Sequence, residues 1–120
     1  MEIKDQISKA IAQHGIWKSR LLNSIQNQSN EFNIDIVKTD NNCEFGKWLY
    51  NTIPEHLKNS TIYPEIIKFH AEFHKETARI LQLITNGKMD DAKHSISIES
   101  DFALISSNLT LKMMEWKREF

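Results

Sequence analysis

The sequence has few of the residues that interrupt helices or cross-link chains. Its 120 residues include three glycines, two prolines and one cysteine. Few glycines and prolines leave few turns, which favours a small number of long helices. A single cysteine excludes an internal disulfide framework and fits a reducing compartment. No apolar run approaches the roughly 18 residues of a membrane span, and the opening residues, MEIKD, lack the apolar stretch of a secretory signal. We therefore expect a cytoplasmic chain without membrane insertion.

The charge is almost balanced, with 15 basic and 16 acidic residues and a formal net charge of −1. A nucleic-acid-binding domain normally has a basic excess, so this class of protein is not expected. Hydrophobic residues make up 40% of the chain and its net charge is low. Disordered segments have few hydrophobic residues and a high net charge, so a folded chain is expected. A chain this short rarely divides into two cores, and we predict one domain over residues 1–120.

Apolar residues recur at three- and four-residue spacing along three long segments, as they do on the buried face of a helix. A shorter apolar segment follows the capping residues Asp40, Asn41 and Asn42. The predicted helices 1 to 4 cover residues 3–25, 43–50, 64–84 and 90–117. Residues 30–42 are expected to form an ordered crossing loop, and Asn86-Gly87 is a helix stop. The prediction is an all-α antiparallel four-helix bundle, in which the short helix 2 carries Cys43.

Three histidines lie on the apolar faces of these helices. His14 occupies a core position of predicted helix 1, and His70 and His74 are four residues apart on one face of predicted helix 3. A buried imidazole costs free energy unless a partner satisfies it, and one metal ion would satisfy all three together. His56, in the loop after Pro54, and His94, roughly opposite Ala92 and Ile96 on predicted helix 4, are predicted to face solvent.

Cys43 is the candidate for a fourth ligand. It stands at the start of predicted helix 2, where free N–H groups and the helix dipole stabilise a thiolate. Three imidazoles and one thiolate suit Zn²⁺ better than Mg²⁺ or Ca²⁺, which prefer oxygen. The plainer alternative is that each histidine is a satisfied core residue and that Cys43 is a small buried hydrophobe.

Three motifs contain the candidate ligands. In chain order they are His14-Gly15-Ile16-Trp17, Cys43-Glu44-Phe45-Gly46-Lys47-Trp48 and His70-Ala71-Glu72-Phe73-His74. Together they resemble the motifs His-x-x-Trp, Cys-x-hydrophobic-Gly-x-Trp and His-x-x-x-His of the chemoreceptor zinc-binding (CZB) domain family. The resemblance covers about residues 5–115.

This resemblance implies a four-helix bundle that binds one zinc ion through three histidines and one cysteine. The ligands would be His14, Cys43, His70 and His74, and the other motif residues, Trp17, Gly46 and Trp48, would support the site. In some members an acidic residue just before the cysteine motif is thought to support the site as well. Asp40 is the candidate here, and its alternative role is that of an ordinary helix N-cap.

The family also implies a cytosolic sensor domain of bacterial signalling and chemotaxis, with frequent homodimers. Such a domain controls a chemoreceptor module, a diguanylate cyclase or a partner protein, and some members sense hypochlorous acid through the cysteine. We find no output module in these 120 residues, so the domain either acts on a partner or belongs to a longer protein. Our hypothesis is that zinc occupancy or oxidation of Cys43 changes how helix 2 packs through Phe45 and Trp48.

Predicted helices 1 and 4 carry more apolar residues than one narrow core face requires. This surplus indicates a homodimer interface, although a wide core face would explain it equally well. The surplus residues are Ile16, Leu22, Ile98, Leu104, Ile105, Leu111 and Met114.

Three other functions are alternatives to a zinc-binding sensor. A zinc hydrolase needs a base beside the metal, but Glu72 lies two residues after His70 and therefore about 200° round the helix. A di-iron site needs several inward carboxylates, which the apolar stripes lack. The third alternative is a metal-free helical interaction module, in which Trp17, Trp48 and Trp116 simply pack. We expect no enzymatic activity.

Overall fold

All regular structure in the computed structural model is helical; the model describes residues 2–120. A π-helical turn, Trp48–Thr52, follows the fourth α-helix, and a 3₁₀ turn, Glu55–Asn59, precedes the fifth. The all-helical prediction is confirmed, whereas the antiparallel four-helix arrangement stays a prediction. The α-helices are α1 (Ile3–Gly15), α2 (Trp17–Asn27), α3 (Ile34–Lys38), α4 (Glu44–Lys47), α5 (Ile62–Thr85), α6 (Met89–Ser95) and α7 (Asp101–Lys117).

Two of the predicted long helices are each divided in two. Predicted helix 1 is interrupted at Ile16, directly after Gly15, where α1 gives way to α2. Predicted helix 4 is interrupted between α6 and α7. There the Ser100 hydroxyl donates to the Ser97 carbonyl, at 2.7 Å, and accepts from the Ala103 N–H, at 3.1 Å. Serine side chains compete in this way with helical hydrogen bonds. The apolar spacing is also interrupted here, because Glu99 and Ser100 stand three and four residues after Ile96.

The segment between α2 and α5 is more ordered than predicted. The expected loop over residues 30–42 contains α3, which is capped by the Asn33 side chain and packs against α5. Only the first part of predicted helix 2 is an α-helix, which ends at Lys47. The rest of the predicted helix belongs to the π turn. Helix α5 begins at Ile62, two residues before the predicted start at Pro64. Pro64 is compatible with this earlier start, because proline is tolerated in the first turn of a helix. It ends before Gly87, whose φ is +77°, as predicted.

Helix α5 is central to the packing. It contacts α7, α3, α6 and α2, and its inner face is fully buried at residues such as Ile66, Phe73 and Leu81. Helix α1 packs against both α7 and α4. The buried faces of α1 and α5 and the beginning of α4 meet in one region of the core, where the rings of His14 and Phe45 both contact His70. None of the described helices is long and apolar enough to span a membrane.

Candidate metal centre

Four side chains that can bind a metal converge where α1, α4 and α5 meet. His70 and His74 lie one turn apart on the inner face of α5, and His14 lies on the inner face of α1. All three imidazoles are buried, with His70 completely inaccessible. Cys43 is partly buried at the N-cap of α4. One ligand atom from each of the four lies within 4.8 Å of all the others.

The distances in this cluster fit a tetrahedral zinc ion. The Nε2 atom of His70 is 3.1 Å from the Nε2 atoms of both His14 and His74. The Cys43 Sγ atom is 3.3 Å from Nε2 of His70, 3.5 Å from that of His74 and 4.0 Å from that of His14. Zn–N bonds of about 2.0 Å and a Zn–S bond of about 2.3 Å would separate nitrogens by about 3.3 Å and sulfur from nitrogen by about 3.5 Å. Small side-chain shifts would therefore bring the four donor atoms to the distances of a tetrahedral zinc site.

Two of the histidines are oriented by backbone carbonyls. The Nδ1 atom of His14 donates to the Ala10 carbonyl at 2.8 Å, and that of His74 donates to the Val37 carbonyl at 2.9 Å. A proton on Nδ1 leaves the Nε2 lone pair of each ring free and aimed at the centre of the cluster. Carbonyl acceptors have no signature in the sequence, so neither contact was predicted.

His70 differs from the other two histidines. Its Nδ1 atom is buried and has no hydrogen-bond partner within residues 2–120. The Asp40 Oδ2 atom lies 4.0 Å away, which is too long for a hydrogen bond. A buried polar atom without a partner is rare in a native protein and requires an explanation.

The electrostatics favour neutral imidazoles. Burial lowers the pKa of His14 to about 4 and that of His70 to about 2. Burial also lowers the pKa of His74, although the Val37 carbonyl opposes the shift. Neutral imidazole is the form that binds a metal, so the three rings are in the required state near neutral pH.

The thiol of Cys43 behaves differently from the prediction. The Gly46 N–H donates to its Sγ atom, at 3.3 Å, and favours the thiolate as expected. Burial has the larger effect, and the pKa of the thiol is raised above its ordinary value. The four residues of α4 supply too little of a helix dipole to reverse this. A bound cation would favour the thiolate strongly.

Gly46 permits a close backbone approach because it lacks a side chain. A Cβ atom at this position would lie 1.8 Å from the backbone carbonyl oxygen of Asp40. The loop before Cys43 therefore passes directly over the Gly46 backbone, which brings Asp40 close to α5.

The two predicted supporting tryptophans contact aromatic neighbours. The Trp48 ring stacks on Phe45, at 5.9 Å between centroids, and Phe45 in turn meets His70 edge-on, at 5.2 Å. Trp17 is buried and packs against Phe32, at 5.0 Å. Trp48 thus lies one residue away from the ligand cluster, behind Phe45.

Asp40 does not cap α4, because Cys43 does. Of its two predicted roles, the N-cap of that helix is therefore wrong. Its Oδ2 atom instead accepts a hydrogen bond from the Tyr50 hydroxyl, on the π turn, and faces His70. The role of Tyr50 has no signal in the sequence, because a tyrosine seven residues after Cys43 is indistinguishable from an ordinary packing residue.

The other candidate residues lie outside the cluster. His56 and His94 are exposed, as predicted. Within the described chain the cluster of candidate donors contains no carboxylate, and Glu72 is not among its members. A cleft of about 310 Å³ opens beside the cluster, and its lining includes His14, Cys43 and His74.

Comparison with known proteins agrees with this geometry. The family model described as the chemoreceptor zinc-binding domain matches residues 14–81, which is more than half of the chain. The matched segment begins at His14 and includes Cys43, His70 and His74. No curated protein and no solved structure matches the chain.

Proposed function

The chain belongs to the chemoreceptor zinc-binding domain family, and from this premise we propose that His14, Cys43, His70 and His74 bind one Zn²⁺ ion in a regulatory sensor domain spanning residues 1–120. The observation that carries this proposal is the convergence of three Nε2 atoms and one thiol on a single point in the core. Bound zinc would tie side chains from α1, α4 and α5 into one closed site.

A regulatory role is favoured over a hydrolytic one by the donor set. Four protein donors leave no open position for a water molecule, which a catalytic zinc site keeps. The zinc hydrolase alternative also needs a carboxylate base beside the metal, and the donor cluster within residues 2–120 has no carboxylate.

Cys43 is the donor best suited to respond to a signal. It is the one cysteine of the chain, it is less buried than the three histidines, and it lines the cleft beside the site. Hypochlorous acid would oxidise its thiolate to a sulfenic acid, with the chlorine reduced and released as chloride. A sulfenic acid is a poor metal ligand, so Cys43 would then leave the cluster. Loss of zinc from the site would free the same side chain.

Aromatic packing connects Cys43 to the last helix. Phe45, two residues after Cys43, stacks on Trp48, and Trp48 lies 5.8 Å from Trp116 near the end of α7. Trp116 is completely buried, so it cannot adjust without moving α7. We propose that a change at Cys43 repositions α4 and the π turn, and that α7 transmits this change to the output.

The output would be a chemoreceptor signalling module, a diguanylate cyclase or a separate partner protein in the cytoplasm. This assignment rests on the family, whose domains occur in bacterial signalling. Zinc, an oxidant or both would be the physiological signal, and nucleic acid is not expected among the partners.

The role of Cys43 predicts a specific response to oxidant. One equivalent of hypochlorous acid should release zinc from the loaded protein and change its tryptophan emission, because Cys43 leaves the cluster and Trp48 moves. The Cys43→Ala variant should bind zinc at least about 100-fold more weakly, since a ligand matters more than its supporting partners. Zinc release is followed with a chromogenic chelator.

At zinc concentrations that load the Cys43→Ala variant, oxidant should cause no further release. This variant retains all four methionines, so it also controls for their oxidation. Unchanged affinity and unchanged oxidant response in Cys43→Ala would contradict the mechanism.

We further propose that two copies of the chain pair through the outer face of α7. Leu104 and Leu111, seven residues apart, are each about 60% exposed on the side opposite the core. Ile98 and Met114 extend this apolar surface, whereas Ile105 packs against the core, as a wide core face would require.

An antiparallel pairing of two α7 helices would use this surface well. It would place Leu104 of one copy beside Leu111 of the other. It would also place Glu99, two residues before the first residue of α7, opposite Lys117 and Arg118 at the end of the helix, so opposite charges would meet.

This pairing predicts that the variant Leu104→Glu/Leu111→Glu is a monomer, because four carboxylates would face one another across the interface. The control Leu22→Glu places a charge at an exposed leucine on α2 and should remain a dimer. Analytical ultracentrifugation measures the mass of each. A monomeric unaltered protein, or a double variant that stays dimeric, would contradict the proposed interface.

A further inference from the structure

We infer that Tyr50 is a positioning residue of the metal site: its hydroxyl holds the Asp40 carboxylate against His70, and zinc affinity depends on that contact. The inference rests on the proposed function. It goes beyond the four ligands and Asp40 by identifying what directs the Asp40 side chain.

The first observation is the incomplete bonding of His70. Its Nδ1 atom is buried without a hydrogen-bond partner in the described chain, whereas the Nδ1 atoms of His14 and His74 each bond to a carbonyl. When Nε2 of a histidine binds a metal, Nδ1 carries the proton and needs an acceptor. His70 is thus the one ligand whose orientation still lacks support.

The second observation is the position of Asp40. Its Oδ2 atom lies 4.0 Å from the His70 Nδ1 atom, so a movement of about 1 Å would make a hydrogen bond of ordinary length. The Asp40 backbone has little freedom, because its carbonyl oxygen packs directly on Gly46. The direction of the carboxylate must therefore be set at the side chain.

The third observation is the bond from Tyr50. Its hydroxyl donates to the same Oδ2 atom of Asp40 that faces His70. Burial and the Asp40 carboxylate raise the pKa of Tyr50 above its ordinary value, so the hydroxyl stays protonated and remains a donor. Asp40 lies at the edge of the site. Without the bond from Tyr50, its carboxylate could turn toward solvent and form hydrogen bonds with water instead.

The test is a double-mutant cycle on zinc affinity. Tyr50→Phe removes only the hydroxyl from a side chain that is already 39% exposed. It should weaken zinc binding by roughly 10-fold, the low end for loss of a supporting partner, and Asp40→Ala by roughly 10- to 100-fold. If Tyr50 acts through Asp40, adding Tyr50→Phe to Asp40→Ala should weaken binding less than twofold further. Dissociation constants come from competition with a chelator of known affinity.

Two readouts separate positioning from general stability. The melting temperature of the metal-free Tyr50→Phe variant should stay within about 2 °C of the unaltered protein, since a substitution at a partly exposed side chain that leaves the ring in place changes stability little. The matched control is Tyr63→Phe, which removes a hydroxyl that donates to the Leu49 carbonyl at 2.8 Å and has no bond to Asp40. Tyr63→Phe should leave zinc affinity unchanged.

Unaltered zinc affinity in Tyr50→Phe would overturn the inference, and so would an equal loss in the Asp40→Ala background. Either result would leave the four-ligand site standing. Failure of the unaltered protein to bind zinc would instead overturn the proposed function, and this inference with it.

Discussion

Addition of zinc to the metal-free protein is expected to raise its melting temperature by roughly 10–25 °C. A ligand that binds only the folded state stabilises it by about 4 kcal/mol when its free concentration is about 1,000 times the dissociation constant. In a domain of this size each kcal/mol corresponds to a few degrees. The effect should be large here because the four donors come from distant parts of the chain and converge only in the folded state. Circular dichroism with zinc or with excess chelator measures the shift.

Substitution of single histidines shows whether this stabilisation arises at the proposed site. His70→Ala removes the donor at the centre of the cluster and should abolish most of the shift. His56→Ala removes an exposed histidine and should leave the shift intact. An equal shift in both variants would mean that zinc binds elsewhere in the chain.

Gly46→Ala is expected to be the most damaging small substitution in the chain, destabilising the metal-free protein by roughly 2–4 kcal/mol. The new Cβ atom would lie 1.8 Å from the Asp40 carbonyl oxygen, which is backbone and cannot rotate away. Either the preceding loop or α4 must therefore move, and overpacking of a core typically destabilises a protein by about 1–3 kcal/mol and occasionally by more. Asp40 takes part in this contact and Cys43 lies between Asp40 and Gly46 along the chain, so zinc affinity should fall as well.

The control for this prediction is Gly15→Ala. Gly15 is the last residue of α1, and a Cβ atom there would meet nothing within 4 Å. Alanine in a helix is favoured over glycine by roughly 0.5–1 kcal/mol, so Gly15→Ala should be neutral or slightly stabilising. Urea unfolding of the two variants gives the comparison. Similar stabilities would show that the close contact between Gly46 and Asp40 does not exist in solution.

The three histidine donors could be predicted from the sequence, because the helical period determines which side chains share a face. The four-residue spacing of His70 and His74, amid apolar neighbours, places both rings on the buried side of α5, where they lie. His14 follows the same rule on α1. The stripe of predicted helix 4 has a gap between Ile96 and Phe102, however, because Glu99 and Ser100 occupy the positions three and four residues after Ile96. The prediction of one continuous helix overlooked this gap, which is where Ser100 separates α6 from α7.

The supporting contacts could not be predicted, because they depend on the approach of distant segments. Every residue has a carbonyl, so nothing in the sequence marks Ala10 or Val37 as the acceptor for a histidine. The hydrogen bond between Tyr50 and Asp40 depends on the π turn, which no sequence pattern predicts. The raised pKa of Cys43 depends on how deeply the folded chain buries the thiol.

The most direct test of the account is the metal content of protein purified without added zinc, measured by elemental analysis. We expect about one zinc per chain. The single alanine variants of His14, Cys43, His70 and His74 should each hold less, and His56→Ala should hold as much as the unaltered protein. If the unaltered protein contains no zinc and takes up none when it is supplied, the central claim is contradicted, and the three buried histidines require another explanation.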